Sequence, residues 1–133
     1  MVKEIKVLIV DDETEFAATL AERLELRKML TRVANGADEA LVIMAEGWGP
    51  DVALLDLKMP GLDGLQTLTL LKEQDPALEV ILVSGHGSTS AGMEGMQKGL
   101  FDYLMKPVDI GVVIEKIEQA YLKRARLSHL RGE

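Results

Sequence analysis

The sequence predicts an α/β fold in which one domain holds a doubly wound, parallel sheet of five strands. Short runs rich in Val, Leu and Ile alternate with amphipathic stretches of helical spacing along the 133 residues. This alternation is typical of repeated βα units. A chain of this length builds one hydrophobic core rather than two. We therefore expect five βα units in a single domain.

The predicted strands are the five short apolar runs. They are residues 5–10, 30–34, 52–56, 79–83 and 101–105. Interior strands of a parallel sheet are covered by helices and are therefore apolar on both faces. The run 30–34, Leu-Thr-Arg-Val-Ala, is more polar than the others. We expect it at an edge of the sheet.

The predicted helices lie between the strands, where apolar residues recur three and four positions apart. The recurring positions are Phe16, Leu20 and Leu24, then Ala37, Ala40, Leu41 and Met44, then Leu65, Leu68 and Leu71. The last helix is expected to begin after Asp109 as its N-cap and to continue through Tyr121 toward Leu130.

The helix predicted over residues 88–98 has a sequence of low helix propensity. It contains Gly92 and Gly95, and each interior glycine costs about 1 kcal/mol relative to alanine. Moving elements are drawn from the least stable parts of a fold. We expect this helix to be the one that moves.

The composition limits the partners and the chemistry. A net charge of −7 disfavours direct nucleic-acid binding, which depends on Lys and Arg neutralising phosphates. The absence of cysteine, with only two histidines, excludes disulfides, thiolate catalysis and Cys-ligated zinc. Residues 1–6 are too charged for a secretory signal, and no apolar run approaches the ~18 residues of a membrane span. We expect a cytoplasmic protein that does not enter the membrane.

Charged residues follow three of the predicted strands. Asp11 and Asp12 follow the first strand, Asp56 ends the third, and Lys106 follows the fifth. Parallel strands bring their carboxyl ends to one edge, so these charges should meet in one cleft. Taken singly, each has a simpler explanation: Asp12 with Glu15 fits a helix capping box, and Asp56 could be a turn residue.

The conjunction favours a site for phosphoryl chemistry. Three carboxylates at one edge repel one another and raise their pKa values unless a cation lies between them. Mg²⁺ prefers oxygen ligands and commonly joins carboxylates to a phosphoryl group. Lys106 would pair with the phosphoryl oxygens, and Ser84, just past the fourth predicted strand, would donate its hydroxyl to one of them.

Four ordered motifs resemble the receiver domain of two-component response regulators over nearly the whole chain. They are residues 10–13 (Val-Asp-Asp-Glu), 55–64 (Leu-Asp-Leu-Lys-Met-Pro-Gly-Leu-Asp-Gly), 83–87 (Val-Ser-Gly-His-Gly) and 101–107 (Phe-Asp-Tyr-Leu-Met-Lys-Pro). The sequences of the last two motifs are most similar to those of receivers of the enhancer-binding transcriptional activators.

The resemblance implies a flavodoxin-like receiver fold over residues 1–125. The basic residues 126–133 would be a helix extension or the start of a linker, so the sequence is either a single-domain receiver or the N-terminal domain of a longer regulator. A histidine kinase or a phosphotransfer protein would phosphorylate the domain. The phosphorylated domain would then change conformation and control an output domain or a partner.

The resemblance also assigns the acceptor and the metal site. Asp56 would accept the phosphoryl group. Asp11, Asp12 and Asp56 would hold Mg²⁺, or alternatively Mn²⁺, together with the backbone carbonyl of Lys58. The Lys58 side chain would modulate the reaction.

The remaining roles implied by the resemblance concern phosphoryl binding and switching. Ser84 and Lys106 would bind phosphoryl oxygens, and a cis peptide bond would join Lys106 to Pro107. Ser84 and Tyr103 would form the conformational switch, while His86 would modulate the attacking water. A homodimer would form through the face of helix 4, strand 5 and helix 5.

Two other functions compete with this interpretation. A Mg²⁺-dependent phosphohydrolase with an Asp nucleophile usually has a second Asp two residues later, where this chain has Lys58. A receiver-like interaction module that works without phosphorylation would be expected to lack part of the acid pair Asp11-Asp12, or Asp56, or Lys106, and none of these is missing. We therefore expect no turnover of external substrates, only self-catalysed phosphotransfer and autodephosphorylation. Leu100, Gly92 and Gly95 depart from the residues usual in the family.

Overall fold

The computed structural model describes residues 4–59, 61–85 and 89–130. Five strands and five helices alternate along them. They are β1 (Lys6–Val10), α1 (Thr14–Glu25), β2 (Leu30–Ala34), α2 (Ala37–Ala45), β3 (Val52–Leu55), α3 (Gly64–Gln74), β4 (Glu79–Ser84), α4 (Thr89–Gln97), β5 (Asp102–Met105) and α5 (Ile110–Leu130). The predicted α/β architecture is confirmed.

The strands form one parallel sheet in the order β2-β1-β3-β4-β5. Strand β1 pairs with β2 on one side and with β3 on the other, so the chain reverses its winding direction at β1. In doubly wound sheets ligands bind at the carboxyl ends of the strands where this reversal occurs. The more polar strand β2 lies at an edge, as predicted.

The core forms two layers, one on each face of the sheet. Alternate residues of β1 supply both: Val7 and Ile9 face one layer, and Leu8 and Val10 face the other, which is the two-residue period of a strand. The first layer is completed by residues of α1 and α5: Ala17, Leu20, Leu24, Val113, Ile117 and Ala120. The second is completed by residues of α2 and α3: Ala40, Ile43, Leu68 and Leu71.

The observed elements differ from the predicted ones mainly at their ends. Strand β3 stops at Leu55, so Asp56 follows the strand, whereas β4 continues through Ser84. The N-cap of α1 is Glu13 and makes no side-chain cap bond, so the capping box proposed for Asp12 is wrong. Its neighbour Asp11 instead accepts a hydrogen bond from the Glu13 amide at 2.9 Å.

Helix α5 is the longest helix of the described residues, at 21 residues. The Asp109 carboxylate accepts hydrogen bonds from the amides of Gly111 at 2.8 Å and Val112 at 3.2 Å, which confirms the predicted N-cap. The helix runs past the predicted domain boundary at residue 125. Among the described residues, no helix is both long and apolar enough to cross a membrane.

The glycines of α4 have a packing role that helix propensity does not reveal. A Cβ atom added to Gly95 would overlap Cδ1 of Leu100 and lie 3.3 Å from Cδ2 of Leu65. Leu100 is 4% exposed and belongs to the second core layer. The small residue on the helix therefore makes room for the large one that precedes β5.

Candidate functional site

The backbone places Asp11 and Asp56 side by side. Val10 and Leu55 are partners in the β1 and β3 pairing, and the two aspartates follow them directly. The Asp56 amide donates to the Val10 carbonyl at 2.9 Å, and the Asp11 amide donates to the Ala34 carbonyl at 3.0 Å. Sheet hydrogen bonding thus continues one residue past each strand and fixes both side chains at the same edge.

Three carboxylates meet at this edge. Asp11, Asp12 and Asp56 each offer an oxygen, and these oxygens lie within 4.8 Å of one another. Asp11 is 2% exposed and Asp56 is 1% exposed, whereas Asp12 is exposed. The predicted convergence of the three acids is confirmed, and one of them opens the cluster to solvent.

The Asp56 carboxylate is buried without hydrogen bonds from the described residues, and its ion pair with Lys106 is long. Neither of its oxygens accepts a hydrogen bond within the described part of the chain. The Lys106 Nζ atom lies 3.9 Å from Asp56 Oδ2, which is beyond hydrogen-bonding distance. A buried carboxylate in this state is costly. The carboxylate oxygens of Asp56, Asp11 and Asp12 together suit a hard cation that prefers oxygen ligands.

Lys106 spans the cleft from β5 to α1. Its Nζ atom donates to Asp11 Oδ2 and to Glu13 Oε1, both at 2.9 Å, and lies 4.1 Å from the centre of the Phe16 ring. Burial lowers the pKa of Lys106, but the hydrogen bonds to Asp11 and Glu13 outweigh it, so the pKa is raised above 10.5. The lysine is therefore charged and bound to Asp11 and Glu13.

The electrostatics of Asp11 reflect the crowding of acids. Burial raises its pKa above 3.8, and the negative charge of Asp56 raises it further. The hydrogen bonds from Lys106 and from the Glu13 amide lower it, but only in part. The cleft thus holds its negative charge at a cost that a bound cation would relieve.

Ser84 and Tyr103 lie on the adjacent strands β4 and β5. Ser84 is 1% exposed and pairs with Met105, while the Lys106 amide donates to the Ser84 carbonyl at 3.0 Å. Tyr103 pairs with Leu82, and its half-buried ring packs against the second core layer. The peptide bond between Lys106 and Pro107 is cis.

Lys58 and His86 are the remaining predicted side chains. Lys58 lies in the connection between β3 and α3 with an exposed side chain, and His86 lies outside the described residues. The switch, phosphoryl-binding and modulating roles stay predictions.

Gly64 packs against the backbone of Asp56 in a way that its sequence motif did not explain. A Cβ atom at Gly64 would overlap the Asp56 carbonyl oxygen and lie 2.7 Å from Leu57 Cα. The Gly64 amide donates to the Leu57 carbonyl at 2.6 Å, and Asp63 caps α3 through a capping box with Gln66. The start of α3 can therefore lie directly against the backbone of Asp56 and Leu57.

Sequence reasoning also missed Glu13 and Phe16. Both contact Lys106, but nothing in the local sequence marks either residue as a partner of that lysine. Glu13 entered the prediction only as part of the motif at residues 10–13, and Phe16 only as a core residue of the first helix. Phe16 does pack against the first core layer, so its ring serves the core and the cleft together.

The sequence pattern of the response regulator receiver domain matches residues 7–118 of the chain. The chain belongs to this family. It is a receiver domain of two-component signalling, and the predicted fold and function class are confirmed.

The relatives point to the NtrC type of receiver, as the motifs predicted. The chain is 38% identical over 114 residues to the DNA-binding transcriptional regulator NtrC of Proteus hauseri, a match that covers 86% of the chain and 24% of that protein. It is also 38% identical over 115 residues to NtrC of Escherichia coli K12, with the same two coverages, 86% and 24%. The chain thus spans about a quarter of the length of these relatives.

Solved receiver structures share the fold. The receiver domain of NtrX from Brucella abortus has a TM-score of 0.81 at 33% identity, covering 86% of this chain and 97% of that one. A CheY-like receiver domain protein from Methanospirillum hungatei JF-1 has a TM-score of 0.87 at 27% identity, covering 93% of this chain and 98% of the other.

Proposed function

We propose that Asp56 accepts a phosphoryl group from a histidine kinase or a phosphotransfer protein in the cytoplasm. One observation carries the proposal: a carboxylate that is 1% exposed, with neither oxygen hydrogen-bonded among the described residues, stands beside two further acids. In the reaction an Asp56 oxygen forms a bond to phosphorus as the phosphorus–nitrogen bond of the donor phosphohistidine breaks. The domain turns over no external substrate beyond this transfer and the hydrolysis of its own acyl phosphate.

We propose Mg²⁺, or alternatively Mn²⁺, as the metal of this cleft. Carboxylate oxygens of Asp11, Asp12 and Asp56 would hold it, with the backbone carbonyl of Lys58 as a further ligand. When bound, the ion neutralises charge on the phosphoryl oxygens during transfer. The raised pKa of Asp11 supports this proposal, because a bound cation would offset the burial and the nearby charge of Asp56 that raise it.

Lys106 is positioned to exchange one anionic partner for another. Its Nζ atom is 2.9 Å from Asp11 and 3.9 Å from Asp56, so a phosphoryl group on Asp56 would extend into its reach. A dianionic phosphoryl group is a stronger partner than a shared carboxylate. Ser84, at the carboxyl end of β4, would donate its hydroxyl to another phosphoryl oxygen, and Tyr103 would respond on β5.

The face formed by α4, β5 and α5 supports a docking role. Its exposed apolar side chains include Met93 at 59%, Met96 at 45%, Met105 at 49% and Val112 at 42% exposure. Methionine adapts readily to partner surfaces. We propose that an output domain or a second copy of the chain binds this face after phosphorylation.

Intact-mass measurement with a small phosphodonor tests the proposal. Acetyl phosphate with Mg²⁺ should add the mass of one phosphoryl group to the wild-type protein, and excess EDTA should prevent the addition. The Asp56→Asn variant should gain no mass. The control Asp63→Asn keeps a residue able to cap α3 and should be modified normally. Equal modification of Asp56→Asn and wild type would refute the assignment.

A further inference from the structure

The ring of Tyr103 rests directly on the backbone of α4 at Gly92. A Cβ atom at Gly92 would lie 2.6 Å from Cζ of Tyr103 and 2.7 Å from both Cε atoms. These distances are too short for non-bonded carbon atoms, so either the ring or the helix would have to move. Gly92 is buried near the middle of α4. Only a residue without a side chain admits the ring in this position.

The contact identifies which group would yield to a larger residue. All three crowded atoms belong to the far half of the tyrosine ring, and none belongs to the backbone of β5. A side chain can leave by rotation about its own bonds at much less cost than a strand can shift. A methyl group at position 92 would therefore displace the ring and leave the sheet in place.

Gly95 provides a matched comparison on the same helix. It lies three residues further along α4 and carries the same helix-propensity cost. Its added Cβ atom would meet Leu100 and Leu65 rather than Tyr103. The two glycines therefore accommodate different neighbours, and only Gly92 contacts the tyrosine.

We propose that Gly92 is the positioning residue of the Tyr103 switch. The Tyr103 ring packs directly on the Gly92 backbone, and this contact couples the position of the ring to that of α4. This inference deepens the proposed function, because it rests on Tyr103 responding to phosphorylation. It adds that the size of residue 92 sets the balance between a seated and a displaced ring. The acceptor chemistry at Asp56 does not depend on it.

A comparison of two backgrounds tests the steric contact by equilibrium unfolding. With Tyr103→Ala, the change Gly92→Ala should shift the folding equilibrium toward the native state about fivefold, the helix-propensity gain of alanine. With Tyr103 present, the same change should give no gain or a loss. An equal gain in both backgrounds would overturn the proposal. Gly95→Ala, the control, should have the same effect with or without Tyr103.

The accessibility of the ring gives a second, independent readout. The chain has two tyrosines, so Tyr121→Phe leaves Tyr103 as the sole target of nitration by tetranitromethane. In the wild-type protein, beryllofluoride with Mg²⁺, a mimic of the phosphoryl group, should change the nitration rate of Tyr103. Gly92→Ala should raise the nitration rate several-fold and abolish this change, whereas Gly95→Ala should leave both unchanged. A nitration rate unaffected by Gly92→Ala would contradict the proposed packing of Tyr103 on Gly92.

The two proposals fail in different ways. Gly92→Ala should still gain one phosphoryl group from acetyl phosphate, because the acids of the cleft are untouched. If the wild-type protein gained no phosphoryl group, the proposed acceptor function would be wrong. The unfolding comparison would still test the contact between Gly92 and Tyr103. If phosphorylation occurred but the beryllofluoride response persisted in Gly92→Ala, the coupling through Gly92 would be wrong.

Discussion

The Lys106 Nζ atom donates to Asp11 at 2.9 Å, 1 Å closer than it lies to Asp56, at 3.9 Å. Two strands that are not neighbours, β1 and β5, are thereby joined across the cleft through side chains 95 residues apart in sequence. Without a phosphoryl group on Asp56, the Lys106 ammonium is therefore bound to Asp11 and Glu13. Phosphorylation of Asp56 would offer that cation a stronger partner.

Replacing Lys106 by methionine should destabilise the protein by about 2 kcal/mol, the typical loss when a hydrogen bond to a charged group is removed. The side chain is 11% exposed and Asp11 would be left buried without its cation. Urea unfolding measures the loss. Lys98→Met is the control, because Lys98 makes an exposed pair with Glu94 that should contribute less than about 1 kcal/mol. Equal effects of the two substitutions would contradict the bridging role.

Asp11→Asn should stabilise the metal-free protein at neutral pH. Burial raises the pKa of Asp11 in the folded state, so the folded protein keeps this proton when the unfolded chain has released it. Stability is therefore lost as the pH rises from the ordinary pKa of 3.8 to the raised value. Urea unfolding in EDTA should show the variant to be more stable above this window and similar to wild type below it. A destabilised variant at neutral pH would contradict the electrostatic account.

Millimolar Mg²⁺ should raise the melting temperature of the wild-type protein, because a ligand that binds only the folded state stabilises it. NaCl at equal ionic strength controls for general screening. Asp11→Asn should lose most of the Mg²⁺ effect, since it removes one of the three converging carboxylates. An increase of the same size in the variant would indicate that the cation binds elsewhere.

Gly64→Ala should cost about 2 kcal/mol or more, because the added methyl group meets the backbone of Asp56 and Leu57 rather than a movable side chain. It should also slow phosphorylation by acetyl phosphate, because the acceptor's backbone must shift. Gly36→Ala is the control: its Cβ atom would contact nothing within 4 Å, so the expected loss is roughly 0.5 kcal/mol, with unchanged phosphorylation. Unaltered phosphorylation in Gly64→Ala would show that the close approach does not position Asp56.

Sequence patterns predicted the parts of this structure that depend on local periodicity. The apolar runs gave all five strands, and the edge position of β2 followed from its polar residues. The convergence of Asp11, Asp12 and Asp56 followed from parallel topology alone. These predictions succeeded because strand ends and burial are set by the hydrophobic pattern.

Contacts between distant side chains were beyond the reach of the sequence. Nothing local marks Glu13 as a partner of Lys106, which lies 93 residues away. The glycines at 92 and 95 were interpreted through helix propensity, whereas the structure gives each a large neighbour, Tyr103 or Leu100. Propensity describes the cost of a glycine but not the packing that offsets it.

Chemical trapping of the acyl phosphate identifies the phosphorylated residue itself. Borohydride reduces an aspartyl phosphate to homoserine, so treatment after acetyl phosphate and Mg²⁺ marks the acceptor permanently, and peptide mass spectrometry then locates it. The account predicts homoserine at Asp56, with Asp11, Asp12 and Asp63 unmodified. Homoserine at any of those three positions instead, or at none of the four in protein that carries the phosphoryl mass, would contradict it.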